Sequence, residues 1–285
     1  MTVRNVSDTA RWVAWYRAEE SDRRDALFRD PFARRLAGER GAEIVRTLPG
    51  ARRLGWVMTV RTCVFDELVL RSVATEGVDT VVNLACGFDT RPYRLALPAT
   101  LRWFEVDLPP MIEEKEVALA GERPVCQLES VPLDLADTAG RAALFRRIGS
   151  QGKRALILTE GLLAYLEPQV VLELARALHA EPTFAIWVLD VVSPFILEHQ
   201  MRRTNVQLAA ADVRLRFAPA EGEEFFRPAG WIPAEFRRTA EEAARLHREM
   251  PMAWLWHLIW RLSTARWRAE MARRYRAGVA MLRRE

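Results

Sequence analysis

Hydrophobic and polar positions alternate along the middle of the chain with the periods of strands and helices. Between residues 55 and 192, short apolar runs alternate with amphipathic stretches, which is typical of a parallel sheet covered by helices. The predicted strands are 79–86, 101–107, 124–131, 154–160 and 183–192. The predicted helices are 55–73, 109–120, 138–148 and 168–180. This order predicts an α/β fold with a doubly wound, mostly parallel sheet.

Two further helices precede the first strand. Trp12, Val13 and Tyr16 recur at helical spacing and predict a helix over residues 8–24. Asp30 followed by Pro31 is typical of an N-cap and the first residue of a second helix. Because both helices lie before the sheet begins, we expect them to form a cap added to it.

The pattern changes after Ser193. Residues 194–212 predict a long helix of mixed polarity, and residues 218–230 predict a loop. The remaining predicted elements are a strand 231–236, a helix 239–249, a helix 252–273 and a strand 277–282. Two late strands separated by an insertion favour an antiparallel pair at the edge of the sheet. We expect the helical insertion to lie over the ligand-binding face as a lid.

The helix predicted over residues 252–273 is rich in tryptophan. Its apolar residues at helical spacing are Trp254, Leu255, Leu258, Ile259 and Leu262, with Trp256, Trp260 and Trp267 in addition. Such spacing usually marks a core-facing helix, so we expect this helix to pack in the core. Two alternatives are a lid wall for an aromatic substrate and a homodimer face, because tryptophan is favoured in apolar pockets and interfaces.

Composition excludes several classes of protein. No run reaches the ~18 to 20 apolar residues of a membrane span, and residues 1–11 lack a signal peptide's apolar segment, so we expect a cytoplasmic protein without a membrane partner. The three cysteines and four histidines lack metal-ligand spacing, so no metal site is predicted. Basic residues outnumber acidic ones by 42 to 38, but arginine doublets are spread along the chain. We therefore expect no nucleic-acid partner.

The first predicted strand ends in a turn of small residues. Ala85, Cys86 and Gly87 allow a backbone turn to approach a ligand closely, and Asp107 ends the next strand twenty positions after Gly87. A carboxylate there can accept hydrogen bonds from both hydroxyls of a ribose. The pattern serves dinucleotide and S-adenosyl cofactors alike, and an ordinary buried strand and turn would also produce it.

Four linked motifs resemble the leucine carboxyl methyltransferase family of S-adenosylmethionine-dependent enzymes. They are residues 84–91 (LACGFDTR), 93–95 (YRL), 104–109 (FEVDLP) and 159–166 (TEGLLAYL). Residues 17–21 (RAEES), 30–31 (DP) and 60–62 (VRT) are similar to the bacterial branch that includes polyketide O-methyltransferases. The resemblance spans about residues 8–240. It implies S-adenosylmethionine as cofactor and S-adenosylhomocysteine as product.

The resemblance also implies the Rossmann-like fold of class I methyltransferases, with seven strands of which the last is inserted antiparallel. This agrees with the order of elements predicted from the pattern. We expect one methyltransferase domain over residues 1–285. It would comprise a helical cap (1–54), a cofactor-binding core (55–192) and lid helices with the last strands (193–285).

The family's cofactor contacts carry over to individual positions. The resemblance implies that Ala85 and Gly87 form the wall of the glycine turn, although the family often has glycine where this chain has Ala85. Asp107 would bind the ribose hydroxyls, with Glu105 as the competing candidate. Asp134 and Leu135 would lie at the adenine edge. For Asp134 an N-cap of the helix starting near residue 137 is the alternative.

Further positions concern the charged end of the cofactor. Glu160 would face the sulfonium and ammonium groups, because opposite charges attract. Arg61 would pair with the cofactor carboxylate, and Arg17 would be a second such residue unless it faces solvent. Tyr165 would lie on the substrate side, with a core tyrosine as the alternative. No other catalytic residue is predicted.

The resemblance implies an O-methyltransferase that transfers a methyl group by in-line displacement. A carboxylate acceptor is already ionised at neutral pH and needs no general base, whereas a phenol of pKa ~10 needs one. The motifs contain no convincing histidine or lysine base, so catalysis would consist of positioning. We expect a small natural-product-like acid or phenol from secondary metabolism as substrate, and a protein C-terminal carboxylate is the alternative.

Two rival functions belong to other classes. A nicotinamide-dependent dehydrogenase would use the same turn and Asp107, but the second and third glycines of the dinucleotide pattern are missing. A non-catalytic methyltransferase-like binding module is the other rival, suggested by Ala85 and the arginine-rich C-terminal segment.

Overall fold

A computed structural model describes residues 6–48, 50–202, 206, 214–250 and 252–285. Its centre is one seven-stranded sheet. The strands are β1 (Thr80–Leu84), β2 (Arg102–Asp107), β3 (Gln127–Pro132), β4 (Ala155–Thr159), β5 (Phe184–Val192), β6 (Trp231–Arg238) and β7 (Ala277–Arg284). The helices are α1 (Val6–Ser21), α2 (Ala33–Thr47), α3 (Ala51–Thr75), α4 (Arg91–Arg94), α5 (Pro109–Ala118), α6 (Thr138–Gln151), α7 (Pro168–His179), α8 (Thr239–Arg245), α9 (Ala253–Leu262) and α10 (Ala265–Arg274).

The sheet has the strand order β3-β2-β1-β4-β5-β7-β6. The strands β1 to β5 are parallel, and β7 is antiparallel to both β5 and β6. This confirms the predicted doubly wound sheet with an antiparallel pair at its edge. The order reverses between β1 and β4, and ligands of open α/β sheets bind at such a switch point beside the carboxyl ends of the strands.

Apolar side chains cover both faces of the sheet. On one face, Leu144 of α6 and Leu174 of α7 pack against strand residues such as Val82. On the other face, Val64 and Leu68 of α3 pack against the opposite side of the same strands. Burying each such side chain contributes roughly 1.5 to 3 kcal/mol. This packing fixes the strand ends from which the site is built.

The first two helices pack against each other and against the turn after β1, where Ala14, Leu36 and Phe88 share one apolar cluster. Asp30 Oδ1 accepts hydrogen bonds from the backbone N–H groups of Phe32 and Ala33, both at 3.1 Å. Asp30 therefore holds the turn directly before α2, whereas the helix itself begins at Ala33 with Phe32 in the N-cap position, two residues later than predicted. Trp12 and Tyr16 of α1 pack with α2 in a small apolar cluster of their own.

The C-terminal helices differ from the prediction. The helix predicted over residues 252–273 is two helices, because the chain is extended at Ser263 and Thr264 Oγ1 caps a new helix by accepting the backbone N–H of Trp267 at 3.2 Å. The prediction that it packs in the core is wrong: all residues of 254–262 are exposed, and Trp254 is 66% exposed. Both faces of the sheet are already covered by other helices.

Two other predictions for this part need correction or fall outside the described residues. The predicted loop 218–230 is largely a 3-10 helix, Gly222–Ala229, because Phe226 is fully buried in the core against Trp187. Of the predicted helix 194–212, the structure shows a π-helical turn at Ile196–Gln200, and residues 203–205 and 207–213 lie outside the described residues. In the described ranges, no helix combines the length and apolarity needed to cross a membrane.

Candidate active site at the carboxyl ends of β1, β2 and β4

The turn after β1 has an unusual backbone. Ala85 has a φ of 53° and Gly87 a φ of 49°, both in the left-handed region. A Cβ at Gly87 would lie 3.2 Å from Ala10 Cβ of α1, so the cap helix packs directly on the turn. Glycine suits such positions because it has no Cβ, whereas alanine in the left-handed region costs about 1 to 2 kcal/mol. Ala85 therefore places strain in the predicted cofactor wall.

Asp107 lies directly at this turn. Its Oδ2 accepts the backbone N–H of Gly87 at 2.7 Å, and its Oδ1 accepts the backbone N–H of Leu108 at 2.7 Å. Burial raises the pKa of this carboxyl group, and the two backbone donors act in the opposite direction. The structure thus brings two of the predicted cofactor residues, Gly87 and Asp107, into contact.

Glu105, the competing candidate, lies deeper. It is 1% exposed, and its Oε2 lies 2.7 Å from Lys115 Nζ of α5. Its Oε1 has no hydrogen-bond partner among the described residues. Burial raises the pKa of Glu105 to about 7 although Lys115 lowers it. Since Lys115 holds this carboxylate inside the protein, Asp107 is the better placed of the two for a ligand at the strand ends.

Glu160 follows β4 and lies between two arginines. Arg61 Nε of α3 is 3.0 Å from Glu160 Oε1, and Arg91 Nη1 is 2.8 Å from Glu160 Oε2. Arg61 Nη1 also lies 3.2 Å from Asp190 Oδ2 of β5. Burial alone would raise the pKa of Glu160, but Arg91 and Arg61 outweigh it and hold that pKa below its ordinary value. Glu160 is therefore an ionised, paired carboxylate.

The ion pairs continue behind Glu160. Arg91 also contacts Asp89 Oδ2 at 2.8 Å and Asp66 Oδ1 at 2.6 Å. Asn83 Nδ2 donates to the same Asp89 oxygen at 2.7 Å. The pKa of Asp89 falls to about 2, because the attraction of Arg91 and other cations outweighs the effect of burial. These pairs form one buried charge network, which joins α3, the turn after β1, and the ends of β4 and β5.

Sequence reasoning missed four members of this network: Asp66, Asp89, Arg91 and Asp190. Each carried a signal in the sequence. Asp89 and Arg91 lie inside the motif 84–91, whereas Asp66 interrupts an apolar helix face and Asp190 interrupts an apolar strand. A charged residue in an apolar run is rarely buried without a partner or a function.

Arg17 anchors the cap to the turn. Its Nε donates to Asp30 Oδ2 at 2.8 Å and its Nη2 donates to the carbonyl of Phe88 at 2.5 Å. Thr90 Oγ1 donates to the same Asp30 oxygen at 2.7 Å. Arg17 is buried, so the alternative of a solvent-facing arginine is wrong, because these partners draw it inward.

Asp134 and Leu135 lie in the loop after β3. Asp134 is exposed, and its Oδ1 accepts the backbone N–H of Ala136 at 2.9 Å. The cap of α6 is Asp137, so the alternative that Asp134 caps this helix is wrong. The backbone N–H of Leu133 donates to the carbonyl of Asp107 at 2.8 Å. This bond holds the loop beside the end of β2.

Tyr165 lies in the 3-10 turn Leu163–Tyr165 that follows β4. It is half-buried, packs against the apolar cluster of α1 and α2, and its hydroxyl hydrogen-bonds to the side chain of Thr9. Burial raises the pKa of Tyr165, so its hydroxyl is protonated at neutral pH. Tyr165 therefore connects the cap to the site, and its protonated hydroxyl does not serve as a general base at neutral pH.

Cys63, Cys86 and Cys126 are buried, free thiols, which fits structural residues. Burial raises the pKa of all three, with Cys86 far above its ordinary value. Within the described ranges, no group of three or more histidine, cysteine or acidic side chains is placed to hold a metal ion.

Comparison with known proteins identifies relatives. The profile of the leucine carboxyl methyltransferase family matches residues 10–179. A Frankia alni protein with the provisional name of an S-adenosyl-L-methionine-dependent methyltransferase is 33% identical over 279 residues, covering 88% of this chain and 95% of its own. A similarly named Streptomyces coelicolor protein is 40% identical over 183 residues, covering 59% of this chain and 62% of its own.

Two solved structures share the fold. A DUF574 family protein from Streptomyces avermitilis superimposes with a TM-score of 0.61 at 15% identity and covers 97% of each chain. A protein from Thermobifida fusca, provisionally titled a methyltransferase, gives a TM-score of 0.60 at 16% identity and covers 100% of this chain and 96% of its own. At such low identity these structures support the fold alone.

The strain at Ala85 yields a prediction. Ala85→Gly should raise the free energy of unfolding by up to ~1 kcal/mol, because glycine adopts a positive φ freely, and should tighten S-adenosylhomocysteine binding by widening the turn. Chemical denaturation and calorimetric titration measure the two effects. As a control, Ala177→Gly inside α7 should lose about 1 kcal/mol. A loss of stability at Ala85→Gly as large as that of the control would contradict this reading.

Proposed function

Since this chain belongs to the leucine carboxyl methyltransferase family, whose cofactor is S-adenosylmethionine, we propose that it is an O-methyltransferase that esterifies the carboxylate of a small acid. The observation that favours a carboxylate acceptor is that Glu160 is ionised and paired with two arginines. Every carboxylate of the charge network at the end of β4 is paired with an arginine or a backbone donor. Among the described residues, this network supplies charge for binding but no free base.

The residues present fit the cofactor. The turn with positive φ at Ala85 and Gly87 allows a close approach of the nucleoside, and Asp107 is at hand for the ribose hydroxyls. Asp134 and Leu135 border the same strand end through the bond between Leu133 and Asp107 and are proposed for the adenine edge.

The amino-acid tail of the cofactor carries one carboxylate and one ammonium group. Arg61 lies between Glu160 and Asp190, so positive and negative charges alternate where the tail would lie. We assign the tail carboxylate to Arg61, and the cationic groups to Glu160, because each charge then meets its opposite. Arg17 is committed to Asp30 and Phe88 and would act by holding the turn.

When bound, S-adenosylmethionine supplies a methyl group on a positively charged sulfur. The acceptor oxygen would take this methyl group with its lone pair, and the C–S bonding electrons would remain on sulfur as S-adenosylhomocysteine. An acid of pKa near ~4 is already ionised at neutral pH, so no proton has to leave. The protein's part would be to align the two reacting atoms, because proximity and orientation can lower a barrier by about 7 to 11 kcal/mol.

A phenol acceptor fits the site less well. A phenol of pKa ~10 needs a base that is free and of sufficient strength. Glu160 has a pKa below its ordinary value and is held by two arginines, and Tyr165 is protonated.

The family match also argues against a nicotinamide-dependent dehydrogenase. A cytoplasmic location, a role in secondary metabolism and the lack of a nucleic-acid partner stay predictions from the sequence.

The acceptor class is tested with matched compounds. The purified chain, S-adenosylmethionine and a panel of small carboxylic acids should give methyl esters by mass spectrometry, whereas the corresponding amides and phenols should give none. A peptide with a free C-terminal carboxylate, run in parallel, tests the protein substrate. Ethers from phenols without esters would contradict a carboxylate acceptor. Cofactor binding without product from any class would favour a non-catalytic binding module.

The assignment of Asp107 makes a second prediction. Asp107→Ala should weaken S-adenosylhomocysteine binding by a factor of roughly 100 or more, since two hydrogen bonds to a charged group are worth about 1.5 to 3 kcal/mol each. Calorimetric titration measures the affinity, and circular dichroism checks the fold. Glu116→Ala, an exposed acidic residue of α5, is the charge-matched control and should bind normally. Unchanged affinity of Asp107→Ala would move the ribose contact elsewhere.

We further propose that α9 is a homodimer surface. Its large apolar side chains are exposed, among them Trp256 at 48% and Leu258 at 46%. Soluble proteins rarely leave such a contiguous apolar patch uncovered, and a specific dimer buries about 800 Å² per partner. A second copy presenting the same helix would cover both patches at once.

Light scattering after size-exclusion chromatography tests the dimer. The wild type should elute as a dimer and Leu258→Glu as a monomer with the same circular dichroism spectrum, because a charge in an apolar interface is costly. Arg266→Glu on α10 is a control outside the apolar helix and should stay dimeric. A monomeric wild type at high protein concentration would rule out this role of α9.

A further inference from the structure

A cavity opens beside the carboxyl end of β5. Its volume is about 230 Å³, and its wall includes Val192 and Phe195 after β5 and Arg273, Arg274 and Arg276 before β7. We refer to it as the β5 cavity. Three arginines within four residues of one another lie at its rim, and Val192 and Phe195 provide an apolar wall.

Two of these arginines are held in place by other side chains. The guanidinium of Arg276 pairs with Glu223 of the 3-10 helix. That of Arg274 stacks on the Phe195 ring at 4.4 Å from its centroid and lies 3.9 Å from Glu270. An arginine on an aromatic face has its position fixed and retains its charge. These two residues therefore shape the rim.

Arg273 differs from its neighbours. Its side chain is exposed and forms no ion pair with any residue that the structure describes. It lines the same cavity, so its five N–H donors are available to a ligand there. A guanidinium binds a carboxylate through two parallel hydrogen bonds, which makes an unpaired arginine at a cavity a natural carboxylate receptor.

The β5 cavity adjoins the charge network. Asp190 of β5 contacts Arg61 at 3.2 Å and accepts the backbone N–H of Gly161 at 2.6 Å. Val191 and Val192 follow directly and line the cavity. Two residues of strand span about 7 Å, so the cavity begins within that distance of Asp190, which contacts Arg61.

We propose that the β5 cavity binds the methyl acceptor and that Arg273 recognises its carboxylate. This assignment rests on the proposed function, since it names the place where the acid is held. Pockets for drug-sized ligands measure roughly 300 to 1,000 Å³. The cavity therefore takes a small acid or the acid-bearing end of a larger one, with the hydrocarbon part against Val192 and Phe195.

Benzoate and benzamide, which differ chiefly in charge, are suitable probes. With the chain saturated with S-adenosylhomocysteine, ligand-observed NMR titration should show benzoate binding more tightly than benzamide. Arg273→Ala should weaken benzoate binding roughly tenfold or more, as expected for a lost charge-assisted hydrogen bond, and leave benzamide unchanged. Arg266→Ala, on the same helix but away from the cavity, is the matched control and should bind benzoate normally. Ala220→Trp, which fills the cavity, should abolish binding of both probes.

Equal binding of benzoate and benzamide, an undiminished affinity of Arg273→Ala, or no benzoate binding at all would overturn the assignment. Its failure is distinguishable from that of the proposed function. If acids are methylated and Arg273→Ala leaves their KM unchanged, the enzyme is an O-methyltransferase whose acceptor lies elsewhere. If benzoate binds through Arg273 but no acid is methylated, the cavity is an acid site and the proposed reaction is wrong.

Discussion

The pairing of Arg61 and Arg91 with Glu160 is the interaction on which the site depends. Arg61 comes from α3, Arg91 from the turn region after β1, and Glu160 from the end of β4. Three separate elements therefore meet at one carboxylate, and Asp190 adds the end of β5. Displacing either arginine would leave a buried charge without its partner, which typically costs about 3 to 5 kcal/mol.

A buried charge network stabilises a fold less effectively than apolar packing does. Desolvation of buried ions offsets much of their attraction, and apolar residues of similar volume often stabilise a protein as well. The apolar clusters on both sheet faces already fix the strands. The proposed role of the network is to present alternating charges at the strand ends that match the zwitterionic tail of the cofactor. The same pairing removes Glu160 as a free base, and on the proposed function this links cofactor binding to an acceptor that is already ionised.

Local patterns predicted much of this architecture. The apolar run of β1, the turn of small residues and Asp107 were recognisable because each depends on a few neighbouring positions. The charge network was not, since Arg91 and Asp66 are 25 residues apart and Arg61 and Asp190 are 129 apart. The exposure of α9 was missed for a related reason. Helical spacing shows that a helix is apolar, but whether a free surface exists for it depends on how other helices cover the sheet.

The pattern also did not predict the left-handed backbone of Ala85. The sequence did show that alanine stands where the resembling family often has glycine. The sequence assigned roles to Arg17 and Arg61 that are alike, whereas the structure separates them. Arg17 is bonded to Asp30 and to the carbonyl of Phe88 in the turn. Arg61 pairs instead with Glu160 and Asp190 at the strand ends.

A crystal structure with S-adenosylhomocysteine bound tests the central claim most directly. The account predicts that the ribose hydroxyls lie within hydrogen-bonding distance of the Asp107 carboxylate and that the amino-acid tail lies between Arg61 and Glu160. A ligand whose ribose is remote from Asp107, with its tail outside the charge network, would contradict it.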